Sequence, residues 1–145
     1  MPPVNLLSNV FLAMAAALAL AVAGCQSTPA GVAPNAVIVT ASDAGTRVHL
    51  APGQEVLVRL LANPATGYEW QLLALPNQAV LLPDGNRWVQ SPEQTQRQDE
   101  VKTQELRFVA QGPGETRVEL EYLVPGRPGG AGDAQFAFEV VVKAP

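Results

Sequence analysis

From Thr116 to Val124 the chain alternates without a break. Val118, Leu120, Tyr122 and Val124 fall on one side, Arg117, Glu119 and Glu121 on the other. Only a β-strand sends successive side chains to opposite faces, so this segment predicts a strand with one dry and one wet face. Similar short runs recur from Ala36 onward. Val37 to Val39 is the first. Glu55 to Leu61 aligns Val56, Val58 and Leu60, and Tyr68 to Leu75 aligns Tyr68, Trp70 and Leu72. Ala79 to Gln90 reads as a broken strand with a turn at Pro83-Asp84-Gly85-Asn86. Val101 to Ala110 aligns Leu106 with Phe108, and Gln135 to Lys143 aligns Phe136, Phe138, Val140 and Val142. Gly112-Pro113-Gly114 reads as a hairpin turn. Seven short strands with no helical period predict an all-β sandwich over Ala36–Pro145.

The first 24 residues differ sharply: 18 are apolar and none is Asp, Glu, Lys or Arg. Val10 to Gly24 is a continuous run of 15 small and apolar residues. A spanning helix needs about 20, so the run fits a secretory signal core, although no basic residue precedes it. It ends Val22-Ala23-Gly24-Cys25, which resembles the lipobox of bacterial lipoproteins. The resemblance implies cleavage after Gly24 and a diacylglycerol thioether on Cys25; an unmodified cysteine beside an ordinary cleavage site is the alternative. Gln26, rather than Asp, follows the cysteine and implies an outer-membrane protein facing the periplasm. More than one acyl chain on Cys25 gives stable anchoring. Cys25 to Asn35, rich in Pro, Ser, Gly and Ala, reads as a tether.

Several functions are excluded by what remains. A net charge of −4 with no basic run argues against nucleic acid as a partner. One Cys precludes an internal disulfide, and one His makes a zinc site or a His-based triad hard to assemble. His49 reads as a surface or edge residue with no second ligand beside it. Asp99 and Glu100 read as part of a solvated loop rather than a catalytic carboxylate pair, and Trp70 and Trp88 as core or rim aromatics. The expectation is a non-enzymatic monomer that needs no cofactor.

A sandwich presents its connections at its two ends, and one connection stands out. In Asn63-Pro64-Ala65-Thr66-Gly67-Tyr68, the Asn63 side chain accepts from amides two residues on and Pro64 fixes φ. Gly67 enters positive φ without penalty. The combination predicts a stiff projection with the Thr66 hydroxyl near its tip; taken alone, it is also simply a good turn. With Glu69 and Trp70 behind it, the segment resembles the first binding loop of the chagasin family of cysteine-peptidase inhibitors, Asn-Pro-Thr-Thr-Gly-aromatic with Trp two residues later. Asn63, Pro64, Thr66, Gly67, Tyr68 and Trp70 match, and Ala65 replaces a Thr.

The resemblance spans about Ser42 to Lys143 and implies an immunoglobulin-like sandwich. It also implies that three loops at one end fill the cleft of a papain-like cysteine peptidase without covalent bonding. It places Thr66 near the peptidase's catalytic cysteine and gives Tyr68 the support of the loop root. In the last loop, Arg127 and Pro128 match the family's Arg-Pro, but Gly129 stands where an aromatic belongs. The middle loop, Ser91 to Glu100, lacks the family's glycine-rich element. Those two departures motivate a second reading: an envelope interaction module with the same fold and no peptidase inhibition.

Overall fold

The alternating segments pair into two sheets in a computed structural model that describes residues 35–97, 100–127, 132 and 134–145. The signal reading of Met1–Gly24, the lipid reading of Cys25, the tether up to Pro34, and Asp99, Pro128 and Gly129 lie outside the described residues. Among the described residues the strands are β1 (Val37–Thr40), β2 (Arg47–Leu50), β3 (Glu55–Ala62), β4 (Glu69–Leu72), β5 (Leu81–Val89), β6 (Lys102–Ala110), β7 (Gly114–Leu123) and β8 (Ala134–Val142). One helix, α1 (Pro92–Arg97), lies between β5 and β6. The first sheet runs β1-β3-β6-β5 and the second β2-β8-β7-β4. Neighbours are antiparallel except β1 beside β3 and β2 beside β8, which are parallel.

The inward faces are those the alternation predicts. Val56, Val58 and Leu60 of β3 meet Leu106 and Phe108 of β6 in one layer; Val118 and Leu120 of β7 meet Phe136, Phe138, Val140 and Val142 of β8 in the other. Burial of each such side chain contributes about 1.5–3 kcal/mol relative to exposure. The architecture is the expected all-β, immunoglobulin-like sandwich.

The structure corrects several local expectations. Among the described residues eight strands form rather than seven, because Arg47–Leu50 adds an edge strand on which only Leu50 is fully buried. The strand expected over Tyr68–Leu75 is shorter: Leu73 and Leu75 are exposed, and pairing with β7 ends at Leu72. Pro83-Asp84-Gly85-Asn86 makes a bulge within a continuous β5 instead of a turn that breaks the strand. Pro83 pairs with Phe108 and Gly85 with Arg107, leaving Asp84 as the extra residue. Gly112-Pro113-Gly114 is not a hairpin turn, since it carries the chain from β6 in one sheet to β7 in the other. A Cβ at Gly114, whose φ is 148°, would meet a Val80 methyl at 2.7 Å, so only glycine fits this crossing. Within Ser91–Glu100, residues Pro92–Arg97 are helical rather than looped. Glu121 does face away from the core, yet it is buried.

Candidate functional site

Pairing register fixes where each connection emerges. Ala62, the end of β3, lies opposite Lys102, the start of β6. Val89, the end of β5, lies opposite Thr103. In the second sheet Glu69, the start of β4, lies opposite Leu123, the end of β7, and Tyr122 opposite Ala134, the start of β8. The connections 63–68, 90–101 and 124–133 therefore leave from one end of the sandwich.

The first connection is a 3₁₀ turn, Pro64–Thr66, closed on both sides. Asn63 Oδ1 accepts from the Ala65 amide at 3.0 Å. The Asn63 carbonyl accepts from the Thr66 amide at 3.2 Å and from the Thr66 hydroxyl at 2.7 Å. Gly67 adopts the left-handed conformation, φ 80°, which lets its amide donate to the Pro64 carbonyl at 3.0 Å. Asn63, Pro64 and Gly67 thus do what their chemistry predicts. Ala65, Thr66 and Gly67 are exposed, while Asn63, Pro64 and Tyr68 are half-buried.

The base of this turn is braced from both sheets. Tyr122 of β7 accepts from the Asn63 amide through its hydroxyl at 2.9 Å. Its ring packs against Tyr68 and Trp70, each with ring centres 5.2 Å away. Trp70 Nε1 donates to the Leu61 carbonyl at 3.0 Å, tying the strand after the turn to the strand before it. From the opposite sheet, the Gln104 amide accepts from the Trp70 amide at 2.7 Å and donates to the Trp70 carbonyl at 2.8 Å. Alternation alone predicts only a core-facing position for Tyr122 and no role for Gln104. A polar residue at an inward position of an alternating strand is the signal that marks Gln104; nothing local marks Tyr122.

The other two connections differ in character. In the middle one, Ser91 and Gln94 form a reciprocal cap. The Ser91 hydroxyl accepts from the Gln94 amide at 3.2 Å and Gln94 Oε1 accepts from the Ser91 amide at 2.9 Å. A helical turn here takes the place of a glycine-rich loop. In the last connection, Gly126 at φ 75° allows the Arg127 amide to reach the Val124 carbonyl at 3.3 Å, and Arg127 is exposed. The chain returns at Gly132, whose amide donates to Glu121 Oε1 at 2.6 Å. A Cβ on Gly132 would lie 2.1 Å from Glu121 Cγ.

His49 is exposed on β2 opposite Val141, away from the three connections. Trp70 is core and Trp88 is 39% exposed. Among the described residues, no group of three or more His, Cys, Asp or Glu side chains is placed to hold a metal ion. The loop end instead offers a neutral, small-sided projection whose backbone is locked, an arrangement suited to filling a groove by shape.

Residues 49–142 match the model of the family described as chagasin family peptidase inhibitor I42. The fold is similar to the crystal structure of the cysteine protease inhibitor EhICP2 from Entamoeba histolytica. The TM-score is 0.63 at 18% identity, covering 74% of this chain and 95% of that one. It is also similar to the solution structure of amebosin, with a TM-score of 0.60 at 23% identity, covering 77% of this chain and 100% of that one. No curated protein matches the chain in sequence.

Proposed function

The chain belongs to the chagasin family of peptidase inhibitors, which block peptidases rather than catalyse, and from that premise we propose that its target is a papain-like cysteine peptidase. It acts reversibly, without a covalent bond, by inserting the loop end into the active-site cleft. The observation that carries this reading is the doubly closed turn Asn63–Gly67, exposed at the end where three connections converge. A turn already locked before binding escapes much of the ordering entropy that opposes association. Ala65, Thr66 and Gly67 enter the cleft, with Thr66 beside the catalytic cysteine. Arg127 and Pro128 flank it, and Gly129 leaves one side without an aromatic anchor.

We further propose that Cys25 carries the lipid and that the protein works as a monomer on the outer membrane, facing the periplasm. Incorporation of a labelled palmitate that disappears in Cys25→Ser tests the anchor; equal labelling in both overturns it.

The inhibition test uses the chain in mild detergent, titrated against papain while substrate hydrolysis is followed. An interface of the standard size, about 1,600 Å², supports an inhibition constant below about 1 µM. Thr66→Trp places a large ring on the exposed tip and gives up one hydrogen bond, that of the Thr66 hydroxyl to the Asn63 carbonyl, while the turn's backbone hydrogen bonds remain. It should weaken inhibition by about a hundredfold, 2.7 kcal/mol, while costing no more than about 1 kcal/mol of folding stability, the worth of the one hydrogen bond lost. Equal inhibition by the variant and the parent removes this turn from the interface.

A further inference from the structure

Two adjacent residues at the end of β7 hold two different connections. Neighbours on a strand point to opposite faces. Tyr122 therefore points inward, where its hydroxyl accepts the Asn63 amide at 2.9 Å and its ring sits against Tyr68 and Trp70. Glu121 points outward, where its carboxylate accepts the Gly132 amide at 2.6 Å. The first contact joins residues 59 apart in the chain and the second spans 11 residues, across the base of the connection between β7 and β8. Gly132 lies against Glu121 so closely that a Cβ would clash at 2.1 Å with its Cγ and at 2.8 Å with the Tyr122 carbonyl. The return of the last connection is thereby seated on the same dipeptide that braces the first.

We infer that Glu121-Tyr122 is a two-faced clamp that sets the first and last connections in register with each other. Its residues are positioning residues: they present the loop end to a peptidase and do not touch it. This rests on the reading that the loop end binds a peptidase, but the clamp itself is a property of the free chain. In a wedge made of several loops, affinity depends on all of them being in place at once. Loss of either brace lets one loop wander, and a wandering loop shows first as faster dissociation.

The test uses the full chain in mild detergent and two readouts, amide hydrogen exchange and papain inhibition kinetics. Tyr122→Phe keeps the ring stack and removes only the acceptor for Asn63. It should speed exchange at Asn63 and Thr66 and raise the dissociation rate about three- to tenfold, the effect of one hydrogen bond. Glu121→Ala should do the same at Gly132, whereas Glu121→Gln, whose amide oxygen still accepts, should restore parental exchange and dissociation. A merely structural role would lower the melting temperature of both Glu121 variants without that rescue.

If the parent inhibits papain and Tyr122→Phe and Glu121→Ala match it in both readouts, the clamp is wrong and the inhibitor reading stands. If the parent does not inhibit, the inhibitor reading fails and exchange alone decides. Faster exchange at Asn63 in Tyr122→Phe and at Gly132 in Glu121→Ala upholds the clamp, and unchanged exchange overturns it.

Discussion

Glu105 is 2% exposed on the outward side of β6, where each carboxylate oxygen takes one arginine: Arg59 Nε at 2.8 Å and Arg87 Nε at 2.6 Å. Burial by itself would raise the carboxyl's pKa. The hydrogen bonds and charges of Arg59 and Arg87 outweigh it and hold the group below the ordinary carboxylate range. Above about pH 4.3, the unfolded value for glutamate, the charge is present in both states and the stabilisation is complete. Below it the unfolded chain takes up the proton first, so the stabilisation fades and is gone once the folded group is protonated too. Glu105→Gln should therefore cost about 1–2 kcal/mol at pH 7, less than a fully buried pair because both arginines retain access to water. That gap should close as the pH is lowered below about 4. Urea unfolding of both proteins between pH 7 and 2 checks this; a gap that ignores pH overturns the charge argument. The sequence could not disclose Glu105, whose partners lie 46 and 18 residues away. Asn63 and Gly67 were legible because their partners lie within their own turn.

Among the elements, β6 shows how a side chain does the work of a strand. Gln104 is the first buried residue on its inward face, followed by Leu106, Phe108 and Ala110, and is fully buried. Its amide engages the Trp70 amide and carbonyl across the gap between the sheets, satisfying two backbone groups at the edge of β4. Gln104→Leu keeps an apolar fill and abandons both groups, so it should lower unfolding stability by about 3 kcal/mol. A urea midpoint that moves by less than a third of that, at unchanged slope, means water replaces the amide. Strands β3, β7 and β8 were readable because a dry inner face imposes period two on them. Strand β2 was not, since an edge strand spends Arg47 and His49 on solvent. In β5 the bulge at Asp84 interrupts the period, and helix α1 is too short and too polar to show one. Its signature was instead the Ser91–Gln94 cap around Pro92, a start signal without an apolar stripe behind it.

For the whole molecule, the decisive relation is between the loop end and the opposite pole of the sandwich. Asn35 is held by Gln54 just before β3 begins, its carbonyl accepting from Nε2 at 2.8 Å, and β1 starts at Val37 opposite Val56. β8 finishes at Val142 opposite Gly114 and Leu50, at that same pole. Asn35 and the end of β8 thus lie at the pole opposite connections 63–68, 90–101 and 124–133, separated from them by the eight residues of β3, about 25 Å of strand. An inhibitor attached through its N-terminal side should consequently present its loops outward, whichever surface holds it. Cys25 is the only cysteine, so its thiol allows this to be tested at a single point. Chain produced with an unmodified Cys25 and coupled to a sensor surface through it should capture papain with a dissociation constant within about twofold of the free chain, since no interface area is lost. Coupled instead through Ala65→Cys in a Cys25→Ser background, it should capture none, because the surface then occupies the cleft-filling tip. Capture through Ala65→Cys but not through Cys25 would put the binding surface at the wrong pole, and the loop end would lose its role.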